Sequence, residues 1–240
     1  SRNRLVVTSA AESANVTVFA SRDEAIGAVG GAEHRLLSLH EEIMGHSLRS
    51  CLRRWRLMGL DVTDISGNFA TEILTLERAT VAGTMLGIVG DSGSSQPWIG
   101  VTGYSREKLK RAVRSNQALL QSHEVIRSVS EPTISDQPHF MNGACGLDHS
   151  QMLPPFLPVC RNMDGVFAMV LRKCCPGRYF AYLPWVVAHD PPSRQWQAHS
   201  HDHARISELL SAAIGSLTLE PHVSDTGANL RMLGRHLIHI

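Results

Sequence analysis

The chain has 240 residues, of which 43% are hydrophobic, and this is enough to build a substantial core in one large domain. Its 23 lysines and arginines nearly balance its 22 aspartates and glutamates, so the net charge of +1 excludes a basic surface made for nucleic acid or anionic lipid. No run of about 20 apolar residues predicts a membrane span, and the first residues do not show the charged-then-apolar pattern that predicts a signal sequence. We therefore expect one cytoplasmic domain over residues 1–240 that handles a small polar metabolite.

The five cysteines lack the paired Cys-x-x-Cys spacing of a zinc or redox centre. The spacing of the cysteines instead indicates buried free thiols in a reducing compartment. The chain begins with Ser1 rather than Met, which we interpret as the sign of a fragment or a processed product.

The first half of the chain alternates strand and helix patterns. Residues 16–19 predict a strand, and 21–24 predict the cap of a short helix. Apolar residues recur every three to five positions over 33–56 with Gly45 interrupting, which predicts one kinked helix or two short ones. Residues 79–89 predict a buried strand that ends in a glycine-rich loop of Gly90, Asp91, Ser92 and Gly93. Because ligands of α/β sheets bind at carboxyl ends of strands, this loop is a candidate site.

The second half predicts further helices and one more strand. A helix is expected from Ser105 through Val129, ended by Pro132. The proline-rich 153–158 segment predicts a stiff extended loop that leads to an apolar helix over 166–174. Residues 179–188 predict a strand interrupted at Pro184, and 206–217 predict an amphipathic helix within a helical extension over 196–240. Together these elements predict an α/β fold with a mixed sheet and flanking helices.

Two residues stand out as candidate nucleophile or base. The segment around Ser92 resembles the nucleophile segment of chymotrypsin-like proteases, but no histidine upstream has the matching setting, so a turn after a strand is the preferred interpretation. Asp164 follows a stiff loop and begins a predicted helix, where a carboxylate can face a cleft. Its alternative role is stabilisation of the helix dipole. Three histidines within 199–203 are interpreted as solvated rather than as a metal site.

A series of motifs favours a functional role for Asp164. Gly90-Asp91-Ser92-Gly93, then Gly146-Leu147-Asp148-His149, Arg161-Asn162-Met163-Asp164-Gly165, Leu183-Pro184-Trp185 and His189 follow one another in order. Over roughly residues 15–195, this order resembles the acceptor-side region of bacterial family 2-like glycosyltransferases. The resemblance implies a GT-A-type fold and transfer of a sugar from a nucleotide-sugar donor to an acceptor hydroxyl.

The resemblance also implies roles for residues. Asp164 would be the base that accepts the proton of the acceptor hydroxyl. His189 would help to hold a divalent cation, Mn²⁺ or Mg²⁺, that compensates the charge of the leaving diphosphate. The residues implied for substrate binding are Gly90, Asp91, Ser92, Gly93, Arg161, Asn162 and Trp185.

The sequence departs from the family pattern at two points. Met163 replaces the first residue of the usual acidic pair, and no Asp-x-Asp motif is present, since Asp61 and Asp64 have the wrong spacing. We therefore expect the donor half to be either upstream or degenerate, and the isolated chain to bind nucleotide sugars weakly or not at all. The alternatives are a catalytically degenerate module that binds carbohydrate or protein and, behind it, a hydrolase that uses Asp164 or Ser92.

Overall fold

The computed structural model describes residues 4–9, 15–29, 36–56, 59–75, 79–91, 103–137, 140–141, 143–158, 162–191, 206–219 and 225–240. The strands in these ranges are β1 (Leu5–Thr8), β2 (Asn15–Val18), β3 (Leu60–Val62), β4 (Thr80–Asp91), β5 (Glu124–Ser128), β6 (Thr133–Ser135), β7 (Cys145–Leu147) and β8 (Arg178–His189). The helices are α1 (Arg22–Gly27), α2 (Leu36–Glu41), α3 (Leu48–Arg56), α4 (Gly67–Thr75), α5 (Gly103–Ser115), α6 (Met163–Cys174), α7 (Ile206–Ser216) and α8 (Thr226–Ile238), with a 3-10 helix over Gln117–Gln121.

The described strands form one mixed sheet in the order β2-β5-β4-β8-β6-β1-β3, with β7 also paired to β4. At its centre β4 and β8 run parallel for 12 residues each. Strands β1, β3 and β6 are parallel to one another, and β6 is antiparallel to β8. The carboxyl ends of β1, β3 and β6 therefore lie opposite to those of β4 and β8. The predicted α/β class, with a mixed sheet and flanking helices, is confirmed.

The predicted strand over 79–89 is confirmed as β4, whose side chains from Val81 to Leu86 are all buried. The strand runs further than expected. Gly90 and Asp91 belong to it rather than to a loop, because β8 continues alongside and pairs His189 with Gly90. Ser92 and Gly93 lie outside the described residues.

The chain crosses the central strand pair at Gly87. Strand β5 pairs with β4, whereas β6 pairs with the far edge of β8, so the link over 129–132 must pass over both strands. A Cβ atom at Gly87 would lie 2.1 Å from the carbonyl oxygen of Arg127 and 2.8 Å from Cβ of Ser128. Because those atoms include backbone, only glycine permits this close approach.

Helices cover both faces of the sheet. On one face α6, α7 and α8 pack over Ala82, Phe180 and Tyr182. On the other face α3 and α4 pack over a second cluster that includes Val81, Tyr179 and Ala181. The alternating side chains of β8 thus divide between two cores, as the period of a strand requires.

Several expectations for individual helices and strands are confirmed. Strand β2 leads into α1, whose N-cap is Ser21, and the 33–56 segment forms α2 and α3 with Gly45 between them at a φ of 76°. The amphipathic helix expected over 206–217 is α7. Helix α8 lies within the expected helical extension and packs with α7 against α6.

One expectation is wrong. The helix expected through Val129 ends at Ser115, and 124–128 form β5 instead, because this segment pairs with β2 and β4. The strand expected over 179–188 with an interruption at Pro184 is confirmed as β8. Leu183 pairs with Leu86 and Val186 with Gly87, so a bulge at Pro184 and Trp185 interrupts the regular register with β4. A bulge accommodates a proline without loss of a ladder hydrogen bond.

Among the described helices, none combines the length and the apolar character needed to cross a membrane.

A buried histidine makes the stability of the fold depend on pH. His40 is buried, and its Nδ1 atom is hydrogen-bonded to Thr84 Oγ1 at 2.7 Å. Burial lowers the pKa of His40 below the usual value near 6.5. The unfolded chain therefore binds more protons than the folded chain as the pH falls below about 6.5, so the free energy of unfolding should decrease with falling pH.

Urea unfolding at several pH values between 5 and 7.5 measures this effect in the unaltered protein and in His40→Gln. We expect a smaller decrease in stability in the variant, because the glutamine does not titrate. His239→Gln, at an exposed position at the end of α8, is the control. Equal pH dependence of the unaltered protein and His40→Gln would show that His40 is not the responsible group.

Candidate functional site

Asp164 lies in the first turn of α6, as the sequence predicts. The helix buries Val166, Phe167 and Leu171 in the core, and Val170 packs against the same cluster. The proline-rich loop before it is non-helical, and Phe156 from this loop stacks on Phe167 with ring centroids 4.0 Å apart. Asp164 therefore lies at the start of a helix that is packed in the core and contacted by the preceding loop.

The residues around Asp164 have a local role in forming the turn into α6. Asn162 adopts a left-handed conformation with a φ of 66°, which asparagine tolerates better than most residues. Its side chain folds over Gly165, where a Cβ atom would lie 2.5 Å from Oδ1 of Asn162. The asparagine and the glycine in this phrase thus shape the turn into α6. Arg161 lies outside the described residues.

Asp164 lies within electrostatic range of Cys145 in β7. Burial, together with the charge of Asp164, raises the pKa of Cys145, which pairs with Met85 of β4. Met85 also borders a small open pocket beneath the crossing chain, whose polar lining residues are Arg127, Ser128 and Tyr182. Cys145 thus links the start of α6 to the part of β4 that borders this pocket.

Other candidate residues meet at the carboxyl ends of β4 and β8. The Nδ1–H group of His189 donates to the carbonyl oxygen of Asp91 at 2.5 Å, because a carbonyl can only accept. Gly90 pairs directly with His189. The structure therefore brings together three of the residues that the resemblance assigns to substrate or metal.

The structure does not bring these three residues to Asp164. Met85, the partner of Cys145 in β4, lies five residues before Gly90, which is about 16 Å along a strand. Trp185 packs against the core cluster under α3 and α4, the face of the sheet opposite to α6. The predicted site residues are therefore distributed over at least two places in the described part of the fold.

A carboxylate that the sequence analysis missed lies at the opposite edge of the sheet. Asp136 directly follows β6, beside the carboxyl ends of β1 and β3. Ser66 Oγ donates to its Oδ2 at 3.3 Å. Its Oδ1 is buried and accepts no hydrogen bond from the residues that the structure describes. The signal in the sequence is a short β-branched segment over 133–135 followed by an aspartate, the arrangement typical of a strand end at a ligand site.

Hydrogen bonds tie the three strand ends together around Asp136. Ser66 follows β3 and caps α4, and its backbone N–H donates to Ser9 Oγ at 3.0 Å. Gln137 donates through Nε2 to the carbonyl oxygen of Ser9 at 2.9 Å. Within the described residues, these short polar side chains hold the strand ends and make no hydrogen bond to the buried Oδ1 atom of Asp136.

The guanidinium of Arg172 lies on the other side of Asp136 and makes several contacts. Arg172 of α6 donates from Nε to the carbonyl oxygen of Asp136 at 3.0 Å and from Nη1 to that of Arg178 at 2.8 Å. Its Nη2 atom is 3.4 Å from Glu72 Oε2, and its guanidinium lies 4.6 Å from the ring centre of Tyr179. Burial and the Glu72 carboxylate raise the pKa of Tyr179, whose hydroxyl donates to Glu72 at 2.5 Å.

The described residues partly fit a divalent cation. No three His, Cys, Asp or Glu side chains in the described ranges are grouped as metal ligands, and His189 lies at the far edge of the sheet. Mg²⁺, however, is commonly bound by one or two carboxylates together with substrate phosphates. The unpartnered buried oxygen of Asp136 suits that mode of binding. The histidines of 199–203 lie outside the described residues.

Comparison of the chain with protein-family models, with curated proteins and with solved structures finds no match. The class that the fold defines is α/β, with a curled mixed sheet and flanking helices.

Proposed function

We propose that the chain is part of a GT-A-type glycosyltransferase that transfers a sugar from a nucleotide-sugar donor to an acceptor hydroxyl. One observation carries the proposal. Helix α6 bears Asp164 in its first turn and, through Arg172, binds the backbone of Asp136, whose buried Oδ1 has no partner among the described residues. Asp164 and Arg172 are eight residues apart, about 12 Å along the helix. The proposed transfer requires both carboxylates to face one anomeric carbon, Asp164 from the side of the attacking hydroxyl and Asp136 from the side of the leaving diphosphate.

Asp164 is proposed as the general base. A sugar hydroxyl is a weak nucleophile, and a carboxylate within hydrogen-bond reach can accept its proton as the new glycosidic bond forms. A helix start anchored by Phe156 holds such a base in a fixed direction. Asn162, two residues before Asp164, and the small pocket that Met85 borders are proposed to contact the acceptor.

Asp136 is proposed as the carboxylate of the donor side. It would hold a divalent cation together with the donor phosphates, and Ser66 would orient its Oδ2. The cation, when bound, supplies compensation for the charge of the departing diphosphate. The roles of Gly90, Asp91, Ser92, Gly93, Arg161 and Trp185 in substrate binding, and of His189 in metal binding, stay predictions of the family resemblance.

A cytoplasmic location is part of the proposal, because nucleotide sugars and the buried thiols of Cys51, Cys174 and Cys175 both suit a reducing compartment. No nucleic acid is proposed as a partner, since the net charge is only +1.

Donor binding tests the role of Asp136. Calorimetry with Mn²⁺ and a panel of UDP-, GDP- and TDP-sugars measures binding to the unaltered chain and to Asp136→Asn. The sequence alone predicts weak or no binding, whereas Asp136 gives a reason to expect metal-dependent binding that the variant weakens by about 10- to 100-fold. Asp23→Asn, an exposed carboxylate of α1, is the matched control.

A donor that binds equally well to the unaltered chain and to Asp136→Asn would remove Asp136 from the site. The lack of any group of three His, Cys, Asp or Glu side chains placed as metal ligands within the described ranges favours one alternative, a module that binds carbohydrate without transfer. Saccharide binding without any donor binding or turnover would support that alternative.

A further inference from the structure

Strand pairing between β6 and β8 ends next to Asp136. The last paired residues are Ser135 and Phe180, so Asp136 and Arg178 continue beyond the ladder. Carbonyl groups at such a place need other donors when they are buried. Arg172 supplies them, because its Nε and Nη1 atoms donate to the carbonyl oxygens of Asp136 and Arg178. The guanidinium therefore supplies hydrogen bonds to these two carbonyl oxygens where the strand pairing has ended.

The guanidinium is itself held in place from two further directions. Glu72 of α4 accepts from its Nη2 atom at 3.4 Å, and the ring of Tyr179 lies under its plane at 4.6 Å. The side chain of Arg172 is only 16% exposed, so its charge depends on these partners. A planar group with several fixed donors can satisfy all four contacts at once, which the single ammonium group of a lysine cannot.

From these contacts we propose that Arg172 is a positioning residue that sets the backbone of Asp136, and with it the direction of the donor-side carboxylate. This inference rests on the proposed function of Asp136. Arg172 touches neither carboxylate oxygen of Asp136, so it acts through the peptide group. Helix α6 also carries Asp164. Arg172 therefore fixes the position of the donor-side carboxylate relative to the helix that bears the base.

The proposal predicts a specific kinetic signature for Arg172→Lys. The variant keeps the positive charge beside Glu72 but loses the fork that binds the two carbonyls. Loss of a hydrogen bond from a charged group changes affinity by about tenfold or more. We therefore expect KM for the donor and Kd for the nucleotide diphosphate to rise about tenfold, with kcat at saturating donor changed less than about twofold. A merely structural role would lower thermal stability without this division between KM and kcat.

The experiment compares Arg172→Lys with Asp136→Asn and with Lys173→Met, which removes a charge from the same helix on the side that faces α7. The probe is whichever of UDP, GDP and TDP the unaltered chain binds best with Mn²⁺, followed by calorimetry and by transfer assays. Weaker binding in both Arg172→Lys and Asp136→Asn, with Lys173→Met unchanged, supports the proposal. Binding that Asp136→Asn loses and Arg172→Lys retains overturns it and leaves the proposed function standing.

If the unaltered chain shows neither nucleotide binding nor transfer, the proposed function fails and the role of Arg172 fails with it. If Arg172→Lys does not fold, Glu72→Gln provides the test, because Glu72 binds the guanidinium of Arg172 and the hydroxyl of Tyr179 rather than Asp136. We then expect a two- to fivefold loss of nucleotide affinity, the range of a partly exposed ion pair. Affinity equal to that of the unaltered chain overturns the proposal.

Discussion

Replacing Asp164 by asparagine should reduce sugar transfer by about 100- to 10,000-fold while the affinity for the donor stays nearly unchanged. The amide keeps the size of the carboxylate and part of its hydrogen bonding, but it cannot accept the proton of the acceptor hydroxyl, so the loss falls on the chemical step. The alternative role of Asp164, stabilisation of the α6 dipole, is worth less than about 1 kcal/mol and cannot produce such a loss. Transfer assays at saturating donor, with parallel donor titrations, measure both quantities.

Two controls accompany Asp164→Asn. Met163→Glu restores the acidic pair of the family pattern at an exposed position of the same turn, and it should preserve or raise activity. Glu208→Gln, in the first turn of α7, removes a helix-start carboxylate away from the site and should leave transfer unchanged. Unchanged turnover in Asp164→Asn would take Asp164 out of the mechanism and leave the acceptor side without its central residue.

Replacing Gly87 by alanine should destabilise the fold by about 3 kcal/mol, at the upper end of the range for overpacking. The added Cβ would lie 2.1 Å from the carbonyl oxygen of Arg127, and backbone cannot turn aside as a flexible side chain can. To relieve the overlap, β5 must move away from β4, which breaks the pairing of Ile88 with Arg127. Urea unfolding with linear extrapolation measures the change.

Gly215→Ala is the matched control for Gly87→Ala. Gly215 lies within α7 and a Cβ atom there would meet nothing within 4 Å, so we expect a gain of about 0.5 to 1 kcal/mol from helix propensity. A Gly87→Ala protein as stable as the unaltered chain would show that the crossing over β4 is more distant than the structure describes.

Sequence reasoning identified those parts of the fold whose cause is local. The apolar run of β4, the break at Gly45 and the buried face of α6 each follow from a pattern within one short segment. The position of Asp164 at the start of α6 is of the same kind, since a proline-rich loop and an Asn-Met-Asp-Gly phrase predict a helix start without reference to the rest of the chain. Local propensity and periodicity were sufficient for all of these.

Only the tertiary structure decided the rest. The 124–128 segment carries apolar residues that suit a helix or a strand, and it became β5 because its backbone bonds with β2 and β4 across long stretches of chain. The site shows the same dependence, since Asp136 meets Arg172 36 residues later. Trp185 lies on the face opposite to α6 because side chains alternate along a strand, and the two-residue bulge leaves that alternation unchanged. A sequence by itself determines where an element begins, whereas the contacts between distant segments determine which edge and which face its side chains share.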